Sequence, residues 1–173
     1  MKPHAVLALT VLMMMVAQAA HAGHPKPQPK PAPAPVITMP EQDKQHLLHD
    51  TFVVVKTVRE IPEAVRKQII PDGKDVLNGM ADPGQNYQTT DVLGRKLMPF
   101  RRLIFTATSQ ECCLIYYEFG GYASGQRAEL FRLSGGQATR AWSGNLTGAR
   151  QPLTLSHLRV EISKGNYYTL RRD

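Results

Sequence analysis

The chain has 173 residues, 42% of them apolar, a formal net charge of +7 and two cysteines. That length suits one domain with a real core. Its Lys and Arg are scattered, without the basic stripe interleaved with aromatics that nucleic-acid binders of this size carry, so nucleic acid is not an expected partner.

Residues 1–22 read as a secretory signal peptide. Lys2 gives a positive start, Ala5 to Ala20 is an almost unbroken apolar run, and Ala20-His21-Ala22 fits a small-x-small cleavage site. The run of about 16 residues falls short of the roughly 20 that cross a bilayer core. The expectation is an exported protein, periplasmic or secreted, that does not span the membrane once the signal is cut. Residues 23–40 follow as a Pro-rich spacer. Alternating prolines fix φ and remove amide donors, so HPKPQPKPAPAP should be extended polyproline II, reaching roughly 35 Å. Setting aside Lys2, Lys26 and Lys30 lowers the formal +7 by three, to +4 for residues 41–173. Loose attraction to acidic envelope polymers is the natural use of that charge.

Residues 41–173 are expected to form a single α+β domain: an antiparallel β-meander of four to five strands packed with two to three short helices. EQDKQHLLH (Glu41 to His49) reads as a short polar helix, and Phe52 to Val55 as a β-branched strand. IPEAVRKQII reads as a second helix with Pro62 at its first position and Pro71 as its stop. From Asp72 to Met98 the pattern is irregular, with Pro83-Gly84 suited to a type II turn. Four strand-like runs then follow: RRLIFTAT, CCLIYYEF, QRAELFRL and QATRAWS. Their connections are short enough to force antiparallel neighbours. One face is read as Leu103, Phe105, Ala107, Cys113, Ile115, Tyr117, Phe119, Phe131 and Leu133, with the opposite face at least partly covered. TLSHLRVEISKG reads as a third helix, capped by Thr154 and ended by Gly165.

Cys112 and Cys113 are adjacent at the head of a strand. Neighbours across a trans peptide lie about 3.8 Å apart, short of the spacing a disulfide prefers, and in a strand their side chains leave on opposite faces. The same divergence argues against one metal ion shared by the pair, and the two-residue spacing of a thioredoxin-like motif is missing. The expected roles are a buried apolar Cys113 and a half-exposed Cys112, with a disulfide-linked dimer through Cys112 as the functional alternative in an oxidising compartment.

Other chemistry is thinly signalled. His46 and His49 form a weak HxxH, a mature terminus at Gly23-His24 would hold copper only loosely, and no cofactor or metal is expected. The glycosylation triplet Asn145-Leu146-Thr147 matters only in a host with that machinery. No GxSxG, HExxH or phosphate-cradling loop occurs. The binding candidates are loop aromatics and amides: Tyr87 and Asp91 in ADPGQNYQTTD, Tyr122 in GGYASG, and Trp142. The functional expectation is an exported binding domain of the cell envelope whose partner is an envelope protein or a cell-wall polymer. The alternatives are a small hydrolase using Asp82, Asp91, Glu111 or Glu118, and a thiol-dependent sensor using Cys112.

Overall fold

The computed structural model describes residues 38–70, 76–93, 97–147 and 154–170. The signal peptide, most of the spacer, its Gly23-His24 terminus and the Pro71 stop lie outside them. Among the described residues are three α-helices, α1 (Glu41–His49), α2 (Glu63–Ile69) and α3 (Leu155–Ser163). Six strands accompany them: β1 (Val53–Val55), β2 (Arg101–Thr108), β3 (Cys112–Phe119), β4 (Gly125–Ser134), β5 (Gln137–Leu146) and β6 (Tyr167–Thr169). All six strands form one antiparallel sheet in chain order, a full meander. Among the described residues no helix is long and apolar enough to cross a membrane.

The α+β class and the meander match the sequence reading, but the strand count is higher. β6 supplies the extra strand, pairing with Gly144 to Leu146, where β5 continues past the expected end at Ser143. Three residues give too short an alternation to register as a strand. At α2 the chain enters the helix one residue later than expected, with Pro62 as N-cap.

Helices cover both faces. On one, Leu47 of α1 and Leu158 and Ile162 of α3 pack on Phe105, Ala107, Cys112, Leu114, Tyr116, Leu130 and Trp142. On the other, Val65 and Ile69 of α2 pack on Leu103, Cys113, Ile115, Tyr117 and Phe131. β3 is therefore buried at six consecutive positions, Cys112 to Tyr117, the pattern of a central strand with both faces covered. The single face expected from alternation is corrected at β2. Leu103 pairs with Tyr117 but Phe105 pairs with Tyr116, so Ile104 is the extra residue of a β-bulge. The bulge turns Phe105 and Ala107 to the α1/α3 face while Leu103 stays on the α2 face.

α1 is a polar helix with an unusual anchor. Its fully buried residues are Leu47 and Asp43, and a buried carboxylate is expensive without a partner. Arg132 of β4 supplies one, donating from Nε to Asp43 Oδ1 (2.6 Å) and from a terminal nitrogen to Oδ2 (2.8 Å). The far end of α1 is held from α3. Arg159 donates to the Leu47 carbonyl (2.9 Å) and to the Asp50 carbonyl, and lies 5.4 Å from the Phe52 ring. Its charge sits where the last carbonyls of a helix lack donors. Replacing Arg132 with Met leaves the Asp43 carboxylate buried and unpaired. The expected loss is about 1–3 kcal/mol of folding free energy, read as a lower urea midpoint. Asp43→Asn in that background should recover part of it.

Candidate functional site

The irregular stretch before β2 is laced to one end of the sheet. Ala81 forms an isolated parallel bridge with Arg102, and the Ala81 amide donates to the Arg101 carbonyl. The Gln88 amide donates to Pro99, the Gly120 amide to Phe100, and the Gly121 amide to Thr89. Pro83-Gly84 makes the expected turn, with the Gln85 amide donating to the Asp82 carbonyl (3.1 Å) and Gly84 at φ +79°. Gln88 is buried, and its side-chain amide donates to the Thr90 and Val92 carbonyls, holding that loop from within. Gly120 is where the two loops meet. A Cβ there would lie 1.9 Å from the Gln88 carbonyl oxygen, so no side chain fits.

This end of the sheet presents Val92, Leu93, Leu97 and Tyr122 to solvent, with Tyr122 97% exposed and Val92 79%. Asp91 is exposed beside Gly121, its Oδ1 3.1 Å from where a Cβ on that glycine would sit. Tyr87 belongs to the same end but is engaged. The Arg102 guanidinium lies 4.5 Å over its ring, and Arg102 is also paired with Glu118 at 2.7 Å. Burial, then the hydrogen bond to Glu118, pushes the Tyr87 hydroxyl above its ordinary pKa. Trp142 is not with them. It is 3% exposed, stacks edge-on to Tyr167, donates from Nε1 to Thr169 (3.0 Å) and covers Gly144. The expectation of a stacking surface at Trp142 gives way to a core residue.

The carboxylates weighed for hydrolysis are dispersed among different tasks. Asp82 accepts the Val58 amide at 2.6 Å, Glu118 pairs with Arg102, and Glu111 faces His46. Asn145 is buried, its carbonyl oxygen accepting from Arg127 Nε and its amide donating to the Tyr168 hydroxyl.

A second cluster lies at the opposite end of β3, where α1 meets the β2–β3 turn. Cys112 belongs to the α1/α3 core and Cys113 to the α2 core, and both are free. The divergence expected of adjacent strand residues is what the fold contains. Cys112 is 1% exposed, not half-exposed, because α1 lies over the start of β3. A bridge to another molecule would require its sulfur to emerge. Around it, His46 Nδ1 is 3.1 Å from Asp50 Oδ2, and His46 Nε2 is 3.8 Å from Glu111 Oε2. One ligand atom from each of His46, Asp50 and Cys112 lies within 4.8 Å of the others. His46, Glu111, Cys112 and Arg132 line a cavity of about 300 Å³ that opens between α1 and the β4–β5 turn. The HxxH reading paired His46 with the wrong neighbour: His49 is exposed, and the i, i+4 residue Asp50 stands beside His46 instead. That spacing was visible in the sequence, whereas the approach of Cys112 was not.

Cys112, His46 and Asp50 are the residue types of a nucleophilic triad, but the electrostatics oppose that use. Burial, then the charges of Asp50, Asp43 and Glu111, push the Cys112 thiol up to about 11, with Arg132 offsetting only part. Burial pushes Cys113 up to about 12, against a hydrogen bond from the Thr108 hydroxyl. A reactive cysteine requires the opposite shift. No protein-family model, curated protein or solved structure matches the chain.

Two outcomes follow. Unfolded thiols ionise near about 8.5 and the folded ones above it, so folding favours the protonated form. Stability is then complete below about pH 8.5 and falls as pH climbs through 11 to 12. The urea midpoint should decline more steeply over that window in the wild type than in Cys112→Ser/Cys113→Ser; equal slopes would contradict the assignment. Separately, Gly120→Ala should displace the Gln88 loop, costing about 1–3 kcal/mol by overpacking, with the largest amide NMR shifts at residues 88–92.

Proposed function

We propose that this chain is a small exported interaction domain of the cell envelope, acting by binding through the loop end of its sheet. One observation carries the reading. Val92, Leu93, Leu97 and Tyr122 are exposed, and the loops bearing them are joined by backbone hydrogen bonds and by the close approach at Gly120. Large apolar side chains gathered on braced loops are costly in water and are characteristic of protein-binding surfaces. Export rests on the signal-like layout of residues 1–22 and on the spacer after it.

Of the two partner classes, a protein fits better than a polysaccharide. Sugar recognition needs open aromatic faces, yet Tyr87 is covered by Arg102 and Trp142 is buried. Tyr122 remains, with aliphatic neighbours that suit an apolar protein surface. The formal +4 of residues 41–173 adds attraction to an acidic partner.

The test is site-specific photo-cross-linking in the envelope fraction. A photo-reactive residue at Tyr122 should give one recurring protein adduct, and the same residue at Ser156 on α3 should give none. Val92→Ser/Leu93→Ser should abolish the adduct while leaving the urea midpoint unchanged. Equal labelling from both positions, or no protein adduct at Tyr122, overturns the reading.

A further inference from the structure

We propose that His46, Cys112 and Glu111 bind one divalent cation of the borderline-soft class, zinc by preference, with Asp50 orienting the imidazole. The donors come from three separate places: α1, the β2–β3 turn and the head of β3. An imidazole, a sulfur and a carboxylate together are a ligand set suited to zinc, whereas magnesium and calcium favour oxygen alone. The set makes three protein ligands, leaving a fourth position open toward the cavity that these residues line.

The distances suit a site that closes on its ion. A tetrahedral zinc with bonds of about 2.0–2.3 Å holds its ligand atoms about 3.3–3.7 Å apart. His46 Nε2 and Glu111 Oε2 are 3.8 Å apart, and the Cys112 sulfur lies within 4.8 Å of a ring nitrogen of His46 and of a carboxylate oxygen of Asp50. Asp50 acts through the other nitrogen. Accepting from Nδ1–H at 3.1 Å leaves the Nε2 lone pair facing Glu111, the carboxylate–histidine arrangement that fixes the tautomer at metal centres. In that tautomer two acceptors face each other across 3.8 Å, too far for a hydrogen bond, and a cation between them satisfies both.

The electrostatics agree. Asp43 and Arg132 neutralise one another at the cavity wall, so Asp50 and Glu111 set the local field. Those two carboxylates, one on each side of the His46 ring, make a field that draws in a cation. On binding, the Cys112 thiol releases its proton to water as the sulfur–metal bond forms, and no electrons are transferred. Cys113 points into the α2 core and takes no part.

Titration of the purified, untagged chain with cobalt(II) reads the site directly. One equivalent should produce a near-ultraviolet thiolate-to-cobalt charge-transfer band. The band should be lost in Cys112→Ser and His46→Gln and kept in Cys113→Ser. Zinc should displace the cobalt stoichiometrically and raise the melting temperature of the wild type, but not of His46→Gln. Asp50→Asn should weaken zinc binding about 10–100-fold, as loss of an outer-sphere partner does. Circular dichroism of each variant without metal separates loss of ligand from loss of fold. If a variant is unfolded, zinc protection of Cys112 from alkylation in partly denatured wild type gives the same answer. No band in folded wild type, or a band surviving in Cys112→Ser, overturns the proposal.

Discussion

The pairing of Asp43 with Arg132 is the constraint from which the rest of the molecule's chemistry descends. α1 carries a single deeply buried apolar side chain, Leu47, too little to hold nine residues against a sheet by the hydrophobic effect alone. Instead the helix is docked by two arginines. One neutralises a carboxylate at its start, and the other saturates carbonyls at its end. Because an unpaired buried charge is worse than an unpaired exposed one, the pair selects position as well as adding energy. Only when α1 lies in this register does Asp43 meet Arg132. In the same register His46 and Asp50, one and two turns further on, come down beside Cys112.

That docking also explains the burial of the two cysteines. A strand at the centre of a meander sends successive side chains into different layers. Here each layer is roofed, by α1 and α3 above Cys112 and by α2 above Cys113. Both thiols are then raised in pKa for the same leading reason, removal from water. They differ in their surroundings. Cys113 has a hydroxyl and apolar neighbours, whereas Cys112 has an imidazole and carboxylates. Adjacent identical residues thus acquire unlike chemistry from the sheet that separates them.

Local signals in the sequence were sufficient for most elements and insufficient for what joins them. Turn chemistry and alternation located β2 to β5 and the order of the meander, and Thr154 marked the start of α3 through its side-chain cap. The face of β2 was not legible, because one bulged residue at Ile104 reverses every side chain beyond it. β6 was too short to announce itself. The burial of Asp43 could not be read from α1, since its partner lies 89 residues away. Among the binding candidates, Tyr122 and Asp91 are exposed loop residues, as their neighbourhoods of glycine and amide suggested. Trp142 lies in a strand, as QATRAWS suggested, but its side chain is buried in the α1/α3 core and not offered to a ligand.

The two candidate sites stand at opposite ends of β3. Cys112 opens the strand, and Phe119 closes it just before Gly120. Seven steps at about 3.4 Å put them about 24 Å apart, beyond a Debye length at physiological salt. An ion at Cys112 therefore cannot act on Tyr122 or Val92 through its field. What it can do is tie α1 to β3 with bonds that the polar helix otherwise lacks, which stabilises the folded state by mass action. On the proposed export by residues 1–22, the chain would then have α1 secured by metal wherever the free ion exceeds the dissociation constant. Its loops would present the same apolar surface with or without that ion.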